Sequence, residues 1–140
     1  MTLDFGQPGT AAAQFQFDVT SRRPFPEVLA ALRQAIDQAD MKVLHEIDPQ
    51  GALRSIDKVI GGARLVFFFH PQLLARLLEI DSSAIVEAPL KLAVLEMPDG
   101  SVSIRAADPA IALGRYGSSA LTGFGQELSA ACDRIVRAAT

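Results

Sequence analysis

Hydrophobic and polar residues are patterned most clearly in two neighbouring runs, Leu90–Glu96 and Ser101–Ala106. Between them lies Pro98-Asp99-Gly100, whose residue types suit a tight turn because proline presets φ and glycine accepts a positive φ. The second run alternates apolar and polar residues, whereas the first is apolar on both faces. The pattern therefore predicts a β-hairpin whose second strand has one solvent-exposed face and whose first strand either lies deep in a sheet or is covered on both sides.

The same period of two predicts two earlier strands, at Phe15–Val19 and Met41–Ile47, and the continuous apolar run Leu65–Phe69 predicts a third. The third of these is apolar at every position and is expected to be buried deeply. In the second, regular alternation places His45 on the same face as Val43. His45 is therefore expected to point toward the apolar side chains.

Apolar residues spaced three and four apart predict two amphipathic helices. The first begins near Pro26, because proline is favoured at the first helical position. Its apolar stripe consists of Phe25, Val28, Leu29, Leu32 and Ile36. The second is long and starts at about Ser119, with Gly123 and Gly125 weakening its first turns. Its apolar stripe consists of Leu121, Phe124, Leu128, Cys132, Ile135 and Ala139.

Shorter helices are predicted where a polar residue precedes a proline. His70-Pro71 introduces a leucine-rich stripe, and Asp108-Pro109 introduces a brief helix that ends near Gly114. A third short helix is expected between Asp48-Pro49 and Gly61-Gly62, although its apolar periodicity is poor.

The order of elements is strand, helix, four strands with a small helical insertion, and a long final helix. Consecutive strands joined by short links pair antiparallel, and two amphipathic helices cover one face of such a sheet. The predicted fold is therefore a two-layer α+β domain of β-α-β-β-β-β-α order, with the long C-terminal helix packed on the sheet. It spans residues 13–140, and residues 1–12 are expected to form a flexible arm.

The other face of this sheet has no helix to cover it. It is expected to carry Leu44, Lys91, Ala93, Leu95 and part of Leu65–Phe69. An uncovered apolar face of this kind is typical of an interface between subunits, and a two-fold dimer is the commonest arrangement. The sequence therefore predicts a homodimer that forms through the helix-free face.

Composition narrows the functional class. The chain has 140 residues, a net charge of −3 and scattered basic residues, which argues against nucleic-acid binding. Its single cysteine, Cys132, lies on the stripe of the last helix and is interpreted as core filling. There is no apolar run long enough for a bilayer and no leader pattern at the start, so no membrane association and a cytoplasmic location are expected.

Several short segments together resemble the domain-of-unknown-function family 302. They are Phe69-His70-Pro71, Ala88-Pro89-Leu90-Lys91-Leu92, Glu96 with Asp99-Gly100, Asp108-Pro109, and the helix-to-strand segment Val28–Leu44 followed by His45-Glu46-Ile47-Asp48. The resemblance covers roughly residues 15–113. It implies a TATA-binding-protein-like α+β architecture and a dimer, as in solved relatives. It does not imply DNA binding, because a shared fold does not carry function.

This chain departs from the family pattern at two places. His70 stands where many relatives have asparagine. Phe69 and Leu90 stand where one subgroup has cysteines. A redox or soft-metal role of the cysteine-bearing relatives is therefore not transferred to this chain.

Four polar residues are candidates for a ligand-binding site: His45, His70, Glu96 and Asp108. If the faces of their strands coincide, His45 and Glu96 could meet as a base and its orienting carboxylate. The alternatives are a structural hydrogen bond for that pair and helix capping for His70 and Asp108. The histidines lack the spacing of a metal site and Gly123-x-Gly125 lacks the dinucleotide pattern, so neither metal nor cofactor is expected.

Two functional hypotheses follow. The first is a non-catalytic homodimeric module that binds a small apolar or amphipathic ligand between helix and sheet, or serves as an interaction domain. The second is a small enzyme with a polar site centred on His45 and Glu96. A close approach of these two side chains beside a pocket would favour the second.

Overall fold

The computed structural model describes residues 3, 5, 6 and 8–140. The strands are β1 (Gln16–Ser21), β2 (Lys42–Ile47), β3 (Ala63–Phe69), β4 (Leu90–Glu96) and β5 (Val102–Ala107). The α-helices are α1 (Phe25–Gln38), α2 (Pro49–Arg54), α3 (Pro71–Ile80), α4 (Pro109–Gly114) and α5 (Ser119–Ala138), and short 3₁₀ helices lie at Thr10–Gln14 and Ser82–Glu87. The predicted α+β class, with a long C-terminal helix, is confirmed.

All neighbouring strands of the five-stranded sheet are antiparallel, in the order β1-β5-β4-β3-β2. The chain therefore runs as a meander from β2 to β5, and β1 lies on the far side of β5. Strands β1 and β2, which are joined only by α1, form the two edges. The neighbours of β1 could not be deduced from its own sequence.

One face of the sheet forms the core with α1 and α5. Its side chains include the fully buried residues Val66, Phe68, Leu92, Val94, Val102 and Ile104. They pack with the predicted stripes of the two helices, from which Val28, Leu32, Ile36, Leu121 and Ile135 are also buried. The hydrophobic effect thus accounts for the layer arrangement, because each amphipathic element has its apolar side against another.

The β4–β5 hairpin has the predicted turn. The amide of Gly100 donates to the Met97 carbonyl over 2.9 Å, and the amide of Met97 donates to the Ser101 carbonyl over 2.7 Å. Gly100 has a φ of 86°, which glycine adopts without steric cost. The Asp99 carboxylate accepts from the amide of Ser101 over 2.9 Å and so fixes the turn.

Strand β2 contains a bulge that reverses part of the predicted pattern. The register shifts between Val43, opposite Phe68, and His45, opposite Phe67. Leu44 is the extra residue and is 57% exposed. Because one inserted residue exchanges the faces that follow it, His45 lies on the helix-free face. The prediction that His45 shares the face of Val43 is therefore wrong.

The helix-free face has two halves of different chemistry. We call one the apolar half, which lies on β2, β3 and β4. Its apolar side chains are Ile47, Leu65, Phe67, Ala93 and Leu95, and His45 and Lys91 lie in the same half on either side of Phe67. We call the other the polar half, which lies on β1 and β5 and consists of Gln16, Asp18, Thr20, Ser103 and Arg105. Arg105 donates to Asp18 over 2.9 Å across the two strands, so this half is held by its own polar contacts.

Two residues near the start of the chain, Phe5 and Pro8, lie beside this face. The amide of Leu3 donates to the Val59 carbonyl over 2.7 Å, and Phe5 and Pro8 border a groove along the polar half. The predicted flexible arm at 1–12 includes positions 1, 2, 4 and 7, which lie outside the described residues. Its mobility stays a prediction. None of the helices among the described residues has the length and apolar character that crossing a membrane requires.

Candidate functional site

His45 and Glu96 do not form a common site. Glu96 follows Leu92 and Val94 on the helix-covered face, whereas His45 lies beside the Phe67 ring on the opposite face, with ring centroids 6.4 Å apart. His45 also shares a row of the sheet with Lys91, and the five residues from there to Glu96 span roughly 17 Å along β4. The hypothesis that these two side chains meet is therefore wrong.

Glu96 has a structural contact instead. Its Oε1 accepts from the amide of Gly62 over 3.3 Å, and its own amide donates to the Gly62 carbonyl over 2.8 Å. The carboxylate thus helps to hold the loop before β3 against the end of β4. A shallow groove beside it also contains Leu3 and Phe5, but no second catalytic group from the described residues lines it.

His70 and Asp108 both act as helix N-caps. The Nδ1 atom of His70 accepts from the amide of Gln72 over 3.0 Å, and Asp108 accepts from the amide of Ala110 over 2.9 Å. Each satisfies an amide at a helix start that would otherwise lack a partner, which is the usual work of these residue types. A ligand-binding role for either residue stays a prediction.

An apolar cavity of about 310 Å³ opens at one end of the sheet. At this end β3 finishes just before His70, and β5 finishes just before Asp108. Strands β3 and β4 pair only as far as Phe68 and Leu90, and the chain between them leaves the sheet through α3 and the 3₁₀ helix Ser82–Glu87. The space left there is bounded by β3, β4, α4 and α5. Its lining consists of Phe67, Phe69, Leu77, Val86, Glu87, Ala88, Pro89, Leu90, Lys91, Ala107, Pro109, Ala112, Leu113 and Leu128.

Three of the segments that carry the family resemblance contribute to this lining. Phe69 comes from the segment Phe69-His70-Pro71, Ala88–Lys91 from the segment Ala88–Leu92, and Pro109 from the segment Asp108-Pro109. These segments are far apart in the sequence and meet only at this end of the sheet. The resemblance and the geometry therefore point to the same place.

Two charged side chains line the cavity, and their surroundings differ. Glu87 accepts from the Tyr116 hydroxyl over 2.8 Å, and its other oxygen lies 3.6 Å from Arg115 Nη2. The hydrogen bond to Glu87 raises the pKa of the Tyr116 hydroxyl. Lys91 places its ammonium 5.9 Å from the centroid of the Phe67 ring, and no described carboxylate forms an ion pair with it.

Sequence reasoning missed Glu87, Tyr116 and Lys91 as site residues. Lys91 was expected only as part of an uncovered sheet face, although it lies inside a segment of the family resemblance. Its position inside that segment was the available signal. No local sequence pattern identifies Tyr116 as a site residue, because its partner Glu87 is distant in the sequence. Glu87 ends the 3₁₀ helix Ser82–Glu87, whereas Tyr116 lies in the turn after α4.

The remaining reactive groups do not add a second site. Cys132 is 1% exposed in the core, and burial raises the pKa of its thiol to about 12, as the core-filling interpretation requires. A deprotonated, nucleophilic sulfur is therefore disfavoured. Within the described part of the chain, no group of three His, Cys, Asp or Glu side chains is arranged to hold a metal ion.

Comparison with known proteins identifies the family. The family model described as the domain of unknown function DUF302 matches residues 17–139, nearly the whole domain. The chain belongs to the DUF302 family. The resemblance predicted from the short segments is thereby confirmed, while the likeness to TATA-binding protein and the cysteine-free subgroup stay predictions.

A solved member of the DUF302 family has the same architecture. The crystal structure of an uncharacterized conserved protein DUF302 from Bacillus stearothermophilus superposes with a TM-score of 0.84 and 18% sequence identity, and the match covers 90% of this chain and 98% of that chain. At this identity the match shows the fold. No curated protein matches the sequence.

Proposed function

We propose that this member of the DUF302 family is a non-catalytic binding module whose cavity takes a small apolar or amphipathic molecule. The observation that carries the proposal is the cavity of about 310 Å³, whose lining is mainly apolar and includes, among the described residues, only two charged side chains. Small-molecule sites in proteins have this character, since apolar walls supply affinity and a few polar groups supply orientation.

The volume limits the size of the molecule. An apolar cavity of about 150 Å³ accommodates benzene, so the space here suits a ligand of roughly twelve non-hydrogen atoms. A bicyclic aromatic compound or a medium-length chain has this size. Larger cofactors such as dinucleotides are too large for it.

The enzyme alternative has less support. It depended on His45 and Glu96, which lie on opposite faces of the sheet. The cavity contains neither residue, and a buried nucleophile such as Cys132 lies outside its lining. The proposal therefore assigns binding and no chemical step.

Filling the cavity tests this proposal. Ala112 lines the cavity, so the Ala112→Phe variant should occupy part of the space and weaken binding of a neutral probe, 2-naphthylmethanol, at least tenfold. The matched control is Ala30→Phe, because Ala30 is exposed on α1 and away from the cavity. Ligand-observed NMR gives the affinities. Equal binding by both variants and the parent, or no binding by the parent, would contradict the proposal.

We also propose that the module is a homodimer in which the apolar halves of two helix-free faces meet. Ile47 is 39% exposed, and Leu65, Phe67, Ala93 and Leu95 are only partly covered. A two-fold axis would place each apolar half against the other, which matches like surface with like. Edge-to-edge pairing is less favourable, because the bulge at Leu44 interrupts the free edge of β2.

A further inference from the structure

The two charged side chains that line the cavity, Glu87 and Lys91, differ in whether they already have a charged partner. Glu87 accepts a hydrogen bond from the Tyr116 hydroxyl and forms an ion pair with the Arg115 guanidinium. Both contacts come from the turn after α4, outside the cavity lining. Because its negative charge is already compensated, Glu87 is a poor anchor for an incoming cation.

Lys91 differs in this respect. It is exposed at the start of β4, and its ammonium lies above the Phe67 ring, which is itself part of the cavity wall. Among the described side chains, no aspartate or glutamate forms an ion pair with it. A cation held over an aromatic ring keeps its remaining hydrogen-bonding directions for a further partner.

From this arrangement we infer that the ligand is an amphipathic anion, with an apolar body of roughly bicyclic size inside the cavity and one carboxylate paired with the Lys91 ammonium. This inference rests on the proposed binding function and adds the class of ligand. The apolar walls receive the body, while Lys91 fixes which end faces out. A positively charged ligand of the same shape would meet Lys91 as a like charge.

A pair of isosteric probes separates this inference from the binding proposal. The first is 2-naphthoate, an anion at neutral pH, and the second is 2-naphthylmethanol, which is neutral and nearly the same size. We expect the anion to bind about fivefold tighter to the parent protein, the gain of a partly exposed ion pair. The preference should decrease as the salt concentration rises, because salt screens such a pair.

Substitution of Lys91 gives the second arm of the experiment. Lys91→Met should remove the preference for 2-naphthoate and leave binding of 2-naphthylmethanol unchanged, while Lys91→Arg should retain the preference. Lys42→Met is the matched control, because Lys42 is exposed on β2 and does not line the cavity. Equal affinity for the two probes, or a preference that survives in Lys91→Met, would overturn the inference and leave the binding proposal standing. Failure of both probes to bind would remove both.

Discussion

Arg33 on α1 and Glu46 on β2 form a two-pronged ion pair, with Arg33 Nε 2.9 Å from Glu46 Oε2 and Arg33 Nη2 2.8 Å from Glu46 Oε1. The pair exists because the bulge in β2 directs Glu46 to the helix-covered face. Regular alternation would have sent this carboxylate to the other side of the sheet. A single extra residue, Leu44, thus brings Glu46 at the end of β2 into contact with α1.

This pair makes stability depend on pH. The hydrogen bond from Arg33 lowers the pKa of Glu46 from its ordinary value of 4.5, so the stabilisation is present above about pH 4.5 and is lost as the pH falls through the folded-state value. Arg33 is 47% exposed, so the contribution is small, about 0.5 kcal/mol. Urea unfolding should show Glu46→Gln less stable than the parent at pH 7, and this difference should decrease as the pH falls below 4.5.

The more exposed pair of Arg76 and Glu127 provides the control for that measurement. Their side chains are 48% and 60% exposed, so Glu127→Gln should cost less than Glu46→Gln at pH 7. A loss of stability in Glu46→Gln that does not decrease as the pH falls below 4.5 would contradict the assignment to the ion pair.

Two glycines of α5 should respond oppositely to the same substitution. Open space surrounds Gly123, so Gly123→Ala should stabilise the protein by up to about 1 kcal/mol through helix propensity. A Cβ at Gly125 would lie 2.9 Å from the Pro109 carbonyl oxygen and 3.1 Å from Ala110 Cα. Gly125→Ala should therefore force α4 away and destabilise by about 1–3 kcal/mol.

Thermal unfolding distinguishes the two variants, since a change of about 1 kcal/mol moves Tm by roughly 2–4 °C in a domain of this size. Gly123→Ala should unfold above the parent and Gly125→Ala below it. Equal shifts in one direction would show that the contact between α4 and α5 does not restrict position 125.

The proposed dimer interface can be tested by placing a charge in the apolar half of the helix-free face. Ile47→Arg places a charge in the apolar half, where burial of an unpaired charge opposes association, so the variant should sediment as a monomer. Thr20→Arg is the matched control, because Thr20 is exposed on the polar half of the same face. A parent protein that sediments as a monomer at high concentration, or an Ile47→Arg variant that remains dimeric, would rule out this interface.

Local sequence was enough for much of the fold. The alternation in Ser101–Ala106, the Pro98-Asp99-Gly100 turn and the prolines that begin α1, α3 and α4 each act over a few neighbouring residues, and the structure has these elements within a few residues of their predicted bounds. Such signals can be predicted from sequence because turn geometry and helix capping involve groups close together along the chain.

The candidate site depended on contacts that local patterns do not encode. The extra residue in β2 is visible only against Phe67 and Phe68 of its partner strand, so regular alternation assigned His45 to the wrong face.

The sequence by itself determined which segments become strands and helices, because burial of an apolar face depends on spacing along the chain. Only the tertiary structure decided that β1 lies beside β5 and that Phe69, Lys91 and Pro109 surround one cavity. These residues are remote in the sequence, and their positions follow from how whole elements pack together.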